Sequence, residues 1–176
     1  QVKALSLRTS TAAERIEKIK RLRQAMFDRS EQIYKACHAD FAKPAPEVDI
    51  TEILPVVMEA NHAIRHLKGW MKPERKRPTL LMFGTSAEVR NEPKGVCLII
   101  SPWNYPINLS FGPLVSAIAA GNTVILKPSE MTPHCARLMA EMVAELFDDN
   151  EVAVVQGAVE TSQSLLALAF DHMFFT

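Results

Sequence analysis

Apolar side chains recur at Ala12, Ile16, Ile19, Leu22, Met26, Ile33 and Cys37, in steps of three, four and seven residues. That spacing gathers them on one face of a helix, with Arg15, Lys18, Arg21 and Glu31 on the other. Thr11 followed three residues later by Glu14 is a capping-box start, and Pro44 and Pro46 forbid continuation, so the pattern predicts one amphipathic helix over 12–37. A second helical pattern runs through Ile53, Leu54, Val57, Met58, Ile64, Leu67 and Met71. It should begin near Thr51, because Pro55 is tolerated only in a first turn, and should end by Gly69 and Pro73.

Residues 80–83 and 86–90, separated by Gly84, read as two short strands, and 91–95 as a turn. From Val96 onward the pattern changes. Short apolar runs without alternation start at Val96, Thr123, Val152 and His172, intervals of 27, 29 and 20 residues, as expected for strands buried on both faces. Helical stretches are expected between them, over 112–120, 133–147 and 161–169. This β-α-β-α-β-α-β succession predicts an α/β fold: N-terminal helices followed by a doubly wound, Rossmann-like parallel sheet, present here incompletely.

Charge marks the same division. Residues 1–94 carry 18 Lys and Arg against 12 Asp and Glu, whereas 95–176 carry only Lys127 and Arg137 against 8 acids. Three regions are expected: helices over 1–78, strands over 79–94 and a sheet domain over 95–176. The whole is neutral, with 20 basic and 20 acidic residues, which argues against a nucleic-acid partner. The basic cluster at 72–78 lies between two prolines and reads as a solvated linker. No apolar run reaches the roughly 18 residues that span a bilayer, and residues 1–11 lack the apolar segment of a secretory signal. Three widely spaced cysteines, Cys37, Cys97 and Cys135, suit free thiols in a reducing compartment, so a cytoplasmic protein is expected. A start at Gln1 and a stop directly after an apolar strand read as part of a longer polypeptide.

Open parallel sheets bind ligands off the carboxyl ends of their strands. There the chain carries Ser101-Pro102-Trp103-Asn104-Tyr105-Pro106, then Lys127-Pro128-Ser129-Glu130, then Gln156-Gly157. The glycine fingerprint of common dinucleotide folds is absent from the first turn. Two prolines would instead stiffen a loop that presents an indole and a carboxamide. The amide of Asn104 is able to donate to an oxygen that becomes negative in carbonyl chemistry, or to serve simply as a turn residue. Lys127 and Glu130 suit ribose hydroxyls, or equally a structural turn with a capping Glu.

The motifs Ile100-Ser101-Pro102-Trp103-Asn104-Tyr105-Pro106, Ala119-Ala120-Gly121-Asn122-Thr123-Val124, Lys127-Pro128-Ser129-Glu130-Met131-Thr132-Pro133 and Phe174-Phe175-Thr176 occur in order. Together they resemble the front half of the nucleotide-binding domain of the aldehyde dehydrogenase superfamily, nearest its class 3, fatty and coniferyl aldehyde branch. The likeness runs more weakly through the N-terminal helices and Trp70-Met71-Lys72-Pro73. It implies NAD(P)-dependent oxidation of an aliphatic or aromatic aldehyde to the acid, through a cysteine thioester in the full-length protein. Asn104 would be the oxyanion-hole amide and Tyr105 would line the aldehyde entrance. Lys127 and Glu130 would hold the adenosine ribose, with Ile100, Ser101, Trp103 and Gly157 along the NAD or NADP cleft.

In such enzymes the general-base Glu and nucleophilic Cys come later in the chain, so this segment alone is expected to be inert. The strands before residue 95 resemble an oligomerisation arm, implying a homodimer or homotetramer. Two other readings keep the fold and change the chemistry: a non-catalytic nucleotide-binding homologue, and an acyl-phosphate reductase, which the Pro102-Trp103-Asn104 and Lys127–Glu130 motifs fit less well. The three cysteines read as packed thiols. His62 and His66, four apart on a helix, lack a third ligand and read as an exposed face with no metal. Trp70 reads as helix-end packing, and Met58, Met139 and Met142 as core.

Overall fold

The computed structural model describes residues 2–176. After a short helix α1 (Val2–Leu7), the capping box opens α2 (Ala12–Asp28): Thr11 Oγ1 accepts from the Glu14 N–H, and Glu14 Oε2 accepts from the Thr11 N–H at 2.7 Å. The single helix expected over 12–37 is two. Arg29 (φ −105°, ψ 11°) separates α2 from α3 (Ser30–Phe41). Neither Pro nor Gly marks that break, and its cause is tertiary: α2 packs mainly on α5 (Leu54–Trp70) and α6 (Asn108–Ala120), whereas α3 packs on α7 (Pro133–Leu146). Arg15, expected on the solvent face, is buried. Its guanidinium donates to Ser10 Oγ at 2.8 Å and to the Ala119 carbonyl at 3.1 Å, satisfying the last turn of α6 beside Gly121.

α3 ends at Ala42 in a left-handed conformation (φ 54°), which costs a residue with a Cβ roughly 1–2 kcal/mol. After α4 (Ala45–Val48) a widened π-type turn, Asp49–Ile53, feeds α5, with Pro55 in the first turn of α5 as the sequence requires. Met58 is exposed rather than core.

The next segment corrects the expected strand pair. β1 (Glu74–Lys76), drawn from the basic cluster, pairs antiparallel with β2 (Ala87–Val89), while Leu80–Met82 forms a 3₁₀ turn. Pro78 and Gly84 (φ 89°) bracket a tight connection, so residues 80–83 become the tip of a ribbon instead of one of its strands. Leu80, Leu81 and Phe83 are each at least 90% exposed there.

The remainder alternates: β3 (Val96–Ile100), α6, β4 (Thr123–Lys127), α7, β5 (Val152–Val154), α8 (Val159–Leu166) and β6 (His172–Phe175). All three pairings are parallel and the strand order is β5-β4-β3-β6. The chain therefore steps twice in one direction and then returns past its own start. With right-handed crossovers, that reversal puts α8 on the opposite face from α6 and α7 and makes the β3/β6 junction the topological switch point. This is the doubly wound α/β arrangement. β3 and β4 are buried as expected, but all four residues of β6 are exposed, because β6 is an edge strand whose outer side no described element covers.

One continuous core joins the helical and sheet regions. Ile19, Leu22 and Met26 of α2 meet Val56 and Ala60 of α5, Phe111 and Leu114 of α6, and Leu126 and Met139 behind them. Each such large side chain contributes about 1.5–3 kcal/mol when fully buried.

Candidate functional site

Ile100, the last residue of β3, pairs with Lys127, the last of β4, and the Ser101 N–H continues the ladder to the Lys127 carbonyl at 3.1 Å. The loop that follows is tied down at its start by buried Ser101, whose Oγ lies 2.6 Å from Ser110 Oγ on α6. Trp103, Asn104 and Tyr105 then project to the surface between Pro102 and Pro106. The Asn104 carboxamide has no hydrogen-bond partner among the described residues. Its backbone carbonyl accepts from Lys43 Nζ at 2.8 Å, and the same ammonium sits 4.4 Å from the Tyr105 ring centroid.

At the end of β4, Lys127 is buried and donates from Nζ to Glu130 Oε2 at 2.8 Å. That bond holds the Glu130 carboxyl below the usual carboxylate range, and its side chain remains 40% exposed. β5 is registered to β4, with the Val155 N–H donating to the Leu126 carbonyl at 2.9 Å, and Gly157 follows. Gly157 has φ 153°, and a Cβ there would lie 2.1 Å from Thr161 Oγ1, so the close approach of α8 admits only glycine. Ile100, Ser101, Lys127, Glu130 and Gly157 thus stand along one edge of the sheet, across the ends of β3, β4 and β5, with the Trp103-Asn104-Tyr105 loop at the β3 end.

Other candidates lie elsewhere. Cys97 is buried in β3, and burial pushes its thiol up to about 11. Cys37 and Cys135 are buried with their sulfurs 3.7 Å apart, and the contact with Cys37, followed by burial, pushes the Cys135 thiol up strongly. Such thiols are poor nucleophiles. The rings of His62 and His66 meet at a 38° tilt with centroids 4.3 Å apart on the exposed side of α5, and the His66 ring stacks on Trp70 at 5.8 Å. A cleft of about 660 Å³ opens on the side of the sheet where α6 meets β3 and β6, lined by Cys97, Ile99, Asn108, Gly112 and Phe174. Among the described residues, no helix is long and apolar enough to cross a membrane.

Two acids beside the site escaped the sequence reading. Glu52, fully buried, accepts from the Ile107 and Asn108 N–H groups at 3.1 and 3.0 Å and from Lys43 Nζ at 2.7 Å. Burial pushes its carboxyl up despite those bonds. Asp40 accepts from the His134 and Cys135 N–H groups at 3.2 and 2.9 Å, capping α7. Glu52 had left a signal: it lies in phase with the buried stripe Val56, Ala60, Ala63 and Leu67, where a charged residue is out of place.

The fold defines the class first: a doubly wound parallel sheet carrying a polar row at the strand ends, where such sheets bind ligands. Residues 2–176 match the model of the aldehyde dehydrogenase family, and the chain belongs to that family. It is 41% identical over 170 residues to a probable coniferyl aldehyde dehydrogenase of Caulobacter vibrioides, covering 94% of this chain and 35% of that protein. It is 41% identical over 169 residues to the aldehyde dehydrogenase family 3 member B3 of Mus musculus, covering 96% of this chain and 35% of that one. A solved structure described as the substrate-bound state of Staphylococcus aureus AldH superposes with a TM-score of 0.94 at 39% identity, covering 98% of this chain and 38% of that one. The chain therefore spans little more than a third of the length of these relatives. At 24% identity and a TM-score of 0.83, an aldehyde dehydrogenase of Mycobacterium tuberculosis complexed with NAD+ shares the fold.

Proposed function

We propose that the full-length protein oxidises an aldehyde, aliphatic or aromatic, to its carboxylic acid with NAD or NADP. The reading is carried by one observation: an unpartnered side-chain amide, Asn104, projects from a proline-bounded loop beside the Lys127–Glu130 pair at the ends of adjacent strands. When bound, the dinucleotide supplies the hydride acceptor. The residues to hold it fit, because an ionised carboxylate accepts from both hydroxyls of a ribose while the buried Lys127 ammonium keeps that carboxylate in place. The charge of Glu130 disfavours the extra phosphate of NADP by repulsion. Ile100, Ser101, Trp103 and Gly157 form the remaining floor and walls of the cleft.

Asn104 is the catalytic residue of this segment, donating to the aldehyde oxygen as it becomes negative, and Tyr105 lines the approach. The nucleophile is none of Cys37, Cys97 or Cys135, which are buried with Cys97 and Cys135 held protonated, so residues 1–176 alone are expected to give no turnover. The exposed apolar tip at Leu80, Leu81 and Phe83 supports a homo-oligomer assembled through the ribbon.

The test is spectrophotometric detection of NADH or NADPH from the full-length protein, using hexanal and a substituted benzaldehyde as probes. Asn104→Ala should lower kcat by about 100- to 1,000-fold with nucleotide affinity nearly unchanged. No reduced nucleotide with any aldehyde, or an unimpaired Asn104→Ala variant, would overturn the proposal.

A further inference from the structure

Asn104 is useful as an oxyanion donor only if its backbone is fixed before the reaction, since a donor that must reorganise loses most of its effect. Pro102 and Pro106 restrain the two ends of the loop, but between them Trp103, Asn104 and Tyr105 are exposed, and among the described residues the backbone bonds of the loop reach only Ser101 at its start and the first turn of α6 at its end. The support comes from a different part of the chain. Glu52 uses both carboxylate oxygens, Oε2 receiving the Ile107 and Asn108 N–H groups and Oε1 receiving Lys43 Nζ at 2.7 Å. Lys43 then passes the restraint on, donating at 2.8 Å to the Asn104 carbonyl and lying over the rings of Tyr105 at 4.4 Å and Phe41 at 4.8 Å.

We propose that the Lys43–Glu52 ion pair is a positioning brace that presets the Asn104 amide for the reacting oxygen. The arrangement is more than a stabilising cap. The ammonium keeps the buried capping carboxylate charged, but that role needs only its bond to Glu52; its second hydrogen bond goes to Asn104 itself. The side chains of Glu52 and Lys43 are 0% and 11% exposed, so water competes weakly for either. The widened turn at Asp49–Ile53 and the left-handed residue Ala42 bring the two from separate segments to one point. Lys43 and Glu52 touch the loop and act through Asn104.

The inference rests on the oxyanion reading of Asn104, and a double-mutant cycle in the full-length dehydrogenase separates the two. Asn104→Ala, Lys43→Met and the double variant are compared for kcat, aldehyde KM and nucleotide Kd, the last from quenching of protein fluorescence. Lys43→Met should lower kcat about 10- to 100-fold, with KM and Kd within about two-fold. In the Asn104→Ala background the same change should cost less than about two-fold, because the group it positions is gone. If Lys43→Met does not fold, Lys43→Gln, which keeps a donor for Glu52, takes its place in the cycle. A normal kcat in the folded Lys43 variant overturns the brace, as does an equal loss with and without Asn104, or a parallel loss of nucleotide affinity. If Asn104→Ala alone leaves kcat intact, the oxyanion reading has failed and the brace fails with it.

Discussion

Two helices of the sheet region, α6 and α7, begin against the helical region, and each has its first N–H groups capped by an acid from it. Asp40, at the end of α3, caps α7; Glu52, in the widened turn before α5, caps α6. The two acids answer burial oppositely. For both it is the largest single influence and acts upward, but at Asp40 the bonds from Cys135 and His134 outweigh it and leave the carboxyl below its usual range, whereas at Glu52 burial wins. The difference lies in the surroundings. Both carboxylates are withdrawn from water, at 1% and 0% side-chain exposure, but the partner of Asp40, His134, is 53% exposed, whereas the partner of Glu52, Lys43, is 11% exposed and also holds the Asn104 loop. A buried cap whose side-chain partner is exposed is held chiefly by its helix; one whose partner is buried as well is held by that counter-charge, and here the cation also reaches the site.

The largest expected effect breaks the pair at its deep end. Glu52→Ala strands the Lys43 ammonium and two N–H groups, and removing one member of a buried ion pair costs about 3–5 kcal/mol. Denaturant unfolding of the variant measures it, and a loss under about 1 kcal/mol would mean that water reaches Glu52. Asp40→Ala should cost less, about 1–2 kcal/mol, the ordinary worth of an N-cap. Equal losses at the two positions would erase the distinction drawn between them.

That distinction also separates what was legible in the sequence from what was not. The Trp103-Asn104-Tyr105 loop, Lys127, Glu130 and Gly157 could be located because a parallel sheet fixes where strand ends lie, and short apolar runs fix the strands. Helical phase hints that Glu52 is buried, but the role it shares with Lys43 depends on a contact between residues 52 and 107 that no local pattern encodes. The same holds for Arg15, whose charge suggested solvent but whose partner is the carbonyl of Ala119, and for the break at Arg29, imposed by two different neighbours. The strand expected over 80–83 fails for a local reason: four apolar residues have strand propensity, but Pro78 and Gly84 make them a connection. Tertiary capping and turn geometry, rather than periodicity, account for these departures.

Acid sharpens the comparison by sign. Asp40, with its pKa lowered on folding, adds stability above its unfolded value near pH 4, and this is lost as pH falls through the folded value. Glu52, with its pKa raised, behaves in reverse: the folded protein takes up its proton more readily, so its ionisation costs stability as pH rises from the unfolded to the folded value. Unfolding free energies between pH 6 and 3 should therefore fall less steeply for Asp40→Asn than for the parent protein, and more steeply for Glu52→Gln. The changes in slope should be smaller than either truncation. Shifts in the same direction for both variants would contradict the assignment.

The smallest expected effect falls on the histidine beside Asp40. His134 Nδ1 lies 2.8 Å from Asp40 Oδ1, a geometry equivalent on paper to Lys43 beside Glu52, but its side chain is 53% exposed and the helix N–H groups hold the carboxylate independently. Water replaces an exposed partner at little cost, so His134→Ala should change stability by no more than about 0.5 kcal/mol. Thermal unfolding of His134→Ala beside Lys43→Met supplies the contrast, because Lys43→Met leaves a carboxylate in the core that must take a proton or remain uncompensated. Two variants that each remove one side-chain partner from one capping carboxylate would then differ by several-fold in their effect on stability. If His134→Ala proved as damaging as Lys43→Met, exposure would not govern the worth of these pairs, and the Asp40 cap would depend on its imidazole partner after all.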